Sequence, residues 1–357
     1  MVIKKAEKLR RVLLWLPAKL YELAVRLRVA AYETDYLKQK SLDATVISVG
    51  NLTLGGTGKT PMTHYIARYL KSEEQSVVIL TRGYARKSSG MRVINDKRGV
   101  GADASSREFG DEPLMLARLL PDVPIIVNKD RYEAGLWAER ELGAQVLVLD
   151  DGYQHLALAR DLNILLIDAN DPFGGFEMPP FGRLREPLYG IKRADAVVIT
   201  HADKPFDQAQ TLGIIKHHLG DKVPVMYFYS TITELRHLAT GEVYDARSFS
   251  GWNVAVACGI SNPHAFTENI LQIGINIVAE SFFPDHHAFD QRDVEQITRA
   301  AREAGADAIV TTEKDAVRME DLEHGDVPIY AVRLELESED EVRLKSLLLR
   351  TVSRRQK

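Results

Sequence analysis

Short, nearly continuous apolar runs recur along the middle of the chain: Thr45–Val49, Val77–Thr81, Ile125–Val127, Val146–Asp150, Asn163–Asp168 and Ala196–Thr200. Runs this short and this apolar read as strands buried on both faces. Segments of helical periodicity separate most of them, over Thr60–Lys71, Glu112–Leu120, Arg131–Leu142 and Gln208–His218. That alternation predicts βαβ units, a mostly parallel sheet with helices on both faces, and ligands beyond the carboxyl ends of the strands. From about residue 225 the texture changes. Met226–Leu238 and Glu242–Phe249, separated by Thr240-Gly241, read as a two-stranded hairpin. A second βα series follows at Val254–Cys258, Ile277–Ser281, Ala308–Thr312 and Ile329–Val332, with a helix that an Asp290 cap starts and Gly305 stops. The expected organisation is a first α/β domain over 41–225, a two-stranded linker over 226–252 and a smaller α/β domain over 253–357.

The amino-terminal segment 1–40, taken as part of the first domain, has a different pattern. It carries ten basic and four acidic side chains, a local charge of +6 against −4 for the whole chain, so residues 41–357 sum to −10. Apolar residues interleave with the cations, and the longest apolar run, Val12–Ala18, is far shorter than the ~20 residues a span needs. This is the pattern of a basic amphipathic helix lying in a membrane interface, kinked or restarted at Pro17. Its plainer reading is a helix packed on its own domain with the basic face in water.

Composition narrows the class. With 357 residues, 45% hydrophobic and 27% charged, the chain is neither disordered, collagen-like nor a polytopic membrane protein. The single cysteine, Cys258, excludes a disulfide framework, a cysteine-rich zinc module and an iron–sulfur cluster, and reads as a buried strand residue. The net charge argues against a nucleic-acid partner.

The most informative stretch is Gly50-Asn51-Leu52-Thr53-Leu54-Gly55-Gly56-Thr57-Gly58-Lys59-Thr60, between a predicted strand and a predicted helix. Glycines let backbone N–H groups close around phosphate oxygens, and the helix amino terminus adds a favourable dipole. Lys59 would neutralise the β- and γ-phosphates, and the Thr60 hydroxyl would hold Mg²⁺. Thr53 stands where the usual loop has its first glycine, and Gly55-Gly56 would supply the flexibility instead. Val146–Leu149 then ends in Asp150-Asp151, the form of the acidic strand that completes the Mg²⁺ site of phosphate-loop enzymes. The fold class is therefore α/β, a P-loop NTPase-type sheet with a second, smaller α/β domain.

A kinase also needs a group to take the acceptor's proton. Phe109-Gly110-Asp111-Glu112-Pro113 places two carboxylates at a helix start, where a simple capping role is also open. The loop Phe283-Pro284-Asp285-His286-His287 offers a histidine to pair with Asp111. Asp171–Pro187, rich in glycine and proline, reads as a mobile segment whose Arg183 and Arg185 would stabilise phosphoryl charge, or as a plain surface loop. Thr200-His201-Ala202-Asp203 is a faint likeness of a guanine-reading loop.

Taken together the motifs resemble the tetraacyldisaccharide 4'-kinase family. They are the 50–61 loop, Thr81-Arg82-Gly83-Tyr84, Gly110–Pro113, Asp150-Asp151-Gly152-Tyr153-Gln154-His155, Gly182–Pro187, Asp285–His287 and Thr312-Glu313-Lys314-Asp315-Ala316. The resemblance implies ATP- and Mg²⁺-dependent phosphorylation of the 4'-hydroxyl of a tetraacylated glucosamine disaccharide, giving lipid IVA. It places a monomeric, peripheral enzyme at the cytoplasmic face of the inner membrane, docked through residues 9–32. It implies two subdomains that a two-stranded linker joins. It makes Asp111 with a histidine of the 285–287 loop, taken as His286, the base dyad. It makes Asp150 and Asp151 metal- and water-positioning acids, with Thr60 and Glu112 toward the metal. Thr53, Gly55, Gly56, Thr57, Gly58, Lys59 and Thr60 would hold the nucleotide, and Arg183 or Arg185 would be the catalytic arginine. Tyr84, His155, Glu186, His287 and Lys314 would face substrate or lid. The competing class is a membrane-recruited ATPase switch without an acceptor; such proteins carry an extra lysine before Gly55-Gly56, where this chain has Leu54. A third is a GTP-dependent chaperone-type protein.

Overall fold

The computed structural model describes residues 2–84, 86–95 and 106–355, with the backbone alone for residues 2–13, 106 and 107. The amino-terminal helix is α1 (Val2–Glu33). The first body then runs β1 (Thr45–Asn51), α2 (Lys59–Ser72), β2 (Val77–Thr81), β3 (Arg92–Ile94), α3 (Ser106–Phe109), α4 (Asp111–Leu119), β4 (Ile125–Val127), α5 (Arg131–Leu142), β5 (Val146–Leu149), β6 (Leu162–Asp168), β7 (Ala196–Thr200), α6 (Gln208–Leu219) and β8 (Val225–Tyr227). The second comprises β9 (Tyr229–His237), β10 (Val243–Asp245), β11 (Asn253–Cys258), α7 (Pro263–Gln272), β12 (Asn276–Phe282), α8 (Gln291–Glu303), β13 (Ala308–Thr312), α9 (Glu313–Met319) and β14 (Ile329–Glu337). A last helix, α10, spans Glu341–Arg355.

The first sheet has the order β3-β4-β2-β5-β1-β6-β7-β8, parallel except for β3. Alternation along the strands divides its two faces. Ile47, Val49, Val146, Val148, Ile164 and Val198 pack under α2, α4 and α10, while Val46, Leu147, Leu149, Leu165, Val197 and Ile199 face the side of α5 and α6. β1 lies between β5 and β6, so both the loop after β1 and the acidic end of β5 open at one carboxyl edge, where strand order reverses. Gly50 is required there: a Cβ on it would lie 2.7 Å from the Cβ of Tyr153, in the turn that follows β5.

The second sheet, β10-β9-β14-β13-β11-β12, is parallel from β14 through β12, with β9 and β10 antiparallel at one edge. Phe249, Phe266 and Ile270 cover one face, and Val294, Ile297 and Met319 cover the other. Asp290 and Asp293 cap α8 reciprocally.

Two expected boundaries move. The hairpin around Thr240-Gly241 exists, but β9 and β10 belong to the second sheet and Val225–Tyr227 to the first, so 226–252 is not a free-standing linker. The chain passes between the bodies at the start of β9 and the end of β14, where Tyr229 pairs with Glu337. The 253–357 domain also loses its last helix. Leu344, Leu348 and Val352, one face of α10, are buried in the core of the first sheet. Finally, α1 runs as one helix through Pro17 rather than restarting there. Pro17 is exposed, where water can satisfy the carbonyl that its missing N–H leaves free.

Candidate functional site

The two bodies enclose a cavity of about 1050 Å³. Its floor is the loop 54–61 with Asp150, Asp151 and Arg185. Glu112 and Tyr84 line one wall, Ser261, Asn262, His286 and Lys314 come from the second body, and Tyr21, Val25, Arg28 and Val29 of α1 form the outer rim.

The loop has the form of a phosphate cradle. Gly55 and Gly58 sit at φ +114° and +74°, a region open to glycine and strained for other residues, and Gly58 starts α2. The Thr57 hydroxyl is buried without a hydrogen-bond partner, an orphan that a phosphate oxygen would satisfy. Lys59 Nζ rests against the Gly55 carbonyl at 3.3 Å, and burial pushes its pKa below the usual lysine value. Thr53 does not join the cradle. It pairs with Leu184, and its hydroxyl accepts from Asn51 Nδ2 at 3.2 Å, so it straps the loop to the 183–185 segment. That strap continues as Leu54 N donates to Arg183 O at 2.6 Å and Arg185 N to Leu52 O at 2.7 Å.

Adjacent aspartates meet opposite surroundings. Asp150 is buried and accepts from Thr63 Oγ1 (3.1 Å) and Thr81 Oγ1 (3.3 Å). Burial first, then the charges of Glu112 and Asp151, push its pKa up to about 7. Burial also works to raise Asp151, but Lys59 and Arg185 outweigh it and hold this carboxyl below the usual range. Arg185 Nη1 reaches both of its oxygens at 2.8 Å. A divalent cation fits this arrangement. Mg²⁺ is commonly held by one or two carboxylates plus phosphate oxygens, and Asp150 and Asp151 stand beside the loop to supply the carboxylates.

Asp111 opens α4 and meets the second body. His286 Nδ1 lies 3.2 Å from its Oδ2, and Arg318 Nη2 donates to the same oxygen. Burial acts to raise the Asp111 pKa, and these two hydrogen bonds outweigh it, so the net shift is downward. On the far side of the ring, His286 Nε2 is 3.2 Å from Lys314 Nζ, which also donates to Asp285 at 3.3 Å and lies 3.9 Å from Glu112. The Tyr84 ring stands 5.5 Å from the His286 ring and stays exposed.

The other candidates divide between the cavity and its surroundings. His287 turns away, with Nε2 2.7 Å from Asp293. Arg183 pairs with Asp171 while Arg185 lines the cavity. Glu186 lines the cavity, is 2% exposed, and its oxygens are held by Arg193 (2.7 and 2.6 Å) and Gln154 (2.9 Å), so it braces the wall. His155 lines the cavity. Burial, then Arg131, pushes its pKa down to about 4, and its Nε2 has no partner. Sequence reasoning missed Arg318, one helical turn past Lys314, because the motif that drew attention ended at Ala316. The i,i+4 spacing from Lys314 was the available signal.

A phosphate-binding loop at the switch point of a parallel sheet, an acidic strand end beside it and a carboxylate–imidazole pair across the cleft define a nucleotide-dependent phosphotransferase. The chain matches the family model described as tetraacyldisaccharide-1-P 4'-kinase over residues 10–353. It belongs to that family. The tetraacyldisaccharide 4'-kinase of Geobacter sulfurreducens is 38% identical over 351 residues, which are 96% of this chain and 94% of that protein. That of Pelobacter propionicus is 40% identical over 306 residues, covering 84% and 81%. A crystal structure of LpxK from Aquifex aeolicus in complex with ATP superposes with a TM-score of 0.77 at 33% identity, over 96% of this chain and 99% of that one.

Proposed function

We propose that the chain transfers the γ-phosphoryl group of ATP to the 4'-hydroxyl of a tetraacylated glucosamine disaccharide, a lipid A precursor, giving lipid IVA. The observation that carries the reading is the Asp111–His286 pair, 3.2 Å apart and contributed by two bodies that enclose the phosphate cradle. Gly55–Gly58, Thr57 and Lys59 hold the phosphates. Thr60 and Asp150, with Glu112 at the edge, would hold Mg²⁺, which when bound neutralises charge on the phosphate oxygens. Asp111 accepts the hydroxyl proton, and His286 beside it stabilises the charge on the pair as the proton moves. Arg185 fixes Asp151 and presents its cation to the cavity floor.

An acylated substrate resides in a bilayer and ATP is cytoplasmic, so the enzyme is proposed to work at the cytoplasmic face of the inner membrane, a reading that α1 supports. No helix among the described residues is long and apolar enough to cross a membrane. Instead Ala18, Val25 and Val29 turn one side of α1 toward the body, while Leu16, Leu20, Leu23 and Leu27 form a stripe half a turn away in solvent. Lys19 and Arg26 flank the stripe on one side and Arg28 on the other, as in a helix lying in an interface. The basic side chains of residues 4–11 lie outside the described residues.

The test is purified protein with labelled ATP and the acyl-disaccharide. Phosphorylated lipid should form, and ATP turnover should require the lipid; turnover without it would favour an ATPase switch. Asp111→Asn should lower turnover by ~10²–10⁴ with ATP affinity unchanged. Equal loss of both would make Asp111 a structural residue.

A further inference from the structure

α9 starts where β13 ends, and its first turn is locked. The Thr312 hydroxyl accepts from Asp315 N (3.1 Å) and donates to Asp315 Oδ2 (2.7 Å), which also accepts from Gly259 N (3.0 Å) at the end of β11. Asp315 is 0% exposed, and its other oxygen, Oδ1, receives Arg318 Nη1 at 2.9 Å. The Arg318 side chain is only 5% exposed, so a buried acid seats its guanidinium within the second body. From that seat it reaches two further segments. Nη1 donates to the His287 carbonyl at 3.3 Å, and Nη2 crosses to Asp111 at the start of α4.

The two segments are those the transfer needs. His286 sits at φ +61°, a conformation that L side chains adopt only when their surroundings hold them, and the Arg318 contact to His287 O is one of the constraints on that turn. At Asp111, both His286 and Arg318 occupy Oδ2, and Oδ1 receives no hydrogen bond among the described residues. We infer that Arg318 is a positioning residue for phosphoryl transfer. Braced on buried Asp315, it turns the Asp111 carboxylate so that Oδ2 is held and Oδ1 is left for the acceptor hydroxyl. The same guanidinium sets the His286 turn at hydrogen-bond distance from that carboxylate. Arginine suits the task because its planar fork presents donors in two directions at once, which a lysine ammonium on a flexible stem does not do.

This inference rests on the reading of Asp111 as proton acceptor, and a double-variant cycle separates the two claims. Turnover, ATP affinity and melting temperature are measured for Arg318→Lys, Asp111→Asn and the two combined. Arg318→Gln is carried in parallel, should the lysine disturb folding. Arg318→Lys keeps a cation beside Asp315 but loses the fork, and should lower kcat by about 10²-fold, the effect of a misplaced catalytic group, with ATP affinity and melting temperature unchanged. The combined variant should be no slower than Asp111→Asn alone, because an asparagine amide takes no proton and so has nothing left to lose from misalignment. Losses that multiply in the combined variant, or a loss that follows melting temperature or ATP affinity, would show Arg318 to be a structural ion-pair partner and overturn the inference. Normal turnover in Asp111→Asn alone would overturn the assignment of Asp111, and the inference with it.

Discussion

Replacing Leu16, Leu20, Leu23 and Leu27 of α1 together with glutamine tests the outer stripe. These side chains are 51% to 61% exposed, so roughly half of each remains available for burial in a membrane. Full burial of a leucine is worth about 2 kcal/mol, which leaves about 1 kcal/mol per residue and ~4 kcal/mol for the stripe. In partition terms that is ~10³-fold. The charges that flank the stripe contribute less. Lys19 (2.8 Å) and Arg26 (2.6 Å) both bind Glu22, so the three side chains present a single net positive charge, to which Arg28 adds one. At about 1 kcal/mol per cation near an anionic surface, this gives ~2 kcal/mol, and salt screens it. The apolar stripe therefore outweighs these charges, and the net +4 of residues 4–11 adds a further electrostatic share that salt removes. Co-sedimentation with phosphatidylethanolamine–phosphatidylglycerol vesicles should fall by ~10³-fold in the quadruple variant. High salt should lower wild-type binding as well, by about 30-fold through Lys19, Arg26 and Arg28 and further through the cations of residues 4–11. ATP binding and melting temperature should not change, because the stripe is exposed and glutamine is a good helix former. If the quadruple variant still sediments with the vesicles as the wild type does, the stripe is not the docking element.

Three other outcomes follow from single side chains. Lys59→Met should weaken ATP binding and turnover together, by ~10–100-fold in calorimetric affinity, the loss of a charge-assisted hydrogen bond; a pure kcat effect would put the lysine outside the ground-state complex. Gly50→Ala should destabilise by about 1–3 kcal/mol in urea unfolding, because the new Cβ meets the Tyr153 Cβ at 2.7 Å. His64, buried in α2, has its pKa pushed down to about 4 by burial and then by Arg68. The unfolded chain takes a proton near pH 6.5 that the folded chain refuses down to about pH 4, so stability is full above pH 6.5 and falls as the pH drops through this window. The loss is about 3 kcal/mol at 1.36 kcal/mol per pH unit. His64→Gln should remove that part of the acid slope, and an unchanged slope between pH 7.5 and pH 4.5 would exclude His64 as its source.

The central strands were legible because each is buried on both faces and so appears as an unbroken apolar run. Val146–Leu149 and Ala196–Thr200 match their predicted bounds to within a residue. The assignment of α10 was not legible. Leu344, Leu348 and Val352 announce an apolar face, but nothing in that pattern says which sheet receives it, and the helix returns to the first one. The strand β14 was expected to stop at Val332 and runs to Glu337, because its far half pairs with β9 while being only partly buried, so it shows no apolar run. At the site, glycines, lysine and paired aspartates were readable as types. His286 and His287 were not separable, since adjacent residues in a turn point apart and only the fold tells which meets Asp111 and which meets Asp293. Thr53 was read as part of the phosphate loop on position alone, and pairing with Leu184 claims it instead.

One element serves both halves of the cleft. α2 starts at the phosphate cradle, and farther along it Arg68 donates two 2.6 Å hydrogen bonds to Glu335 of β14. Tyr65 on the same helix donates to Glu341 at 2.9 Å, at the start of α10. Arg68 is half exposed, so the pair contributes at most about 1 kcal/mol and its weight lies in orientation, not stability. It fixes the helix that would hold the phosphates against a strand that carries the chain between the bodies. Across the cleft, Arg318 reaches Asp111 and Lys314 lies 3.9 Å from Glu112, and Arg118 of α4 pairs with Glu320 beyond α9. The nucleotide end and the proton-accepting end are therefore tied to the second body by separate polar contacts. A change in the seating of α9 would disturb the Asp111 geometry while leaving the Arg68–Glu335 contact in place, which is why kcat and ATP affinity are expected to separate in variants of this interface.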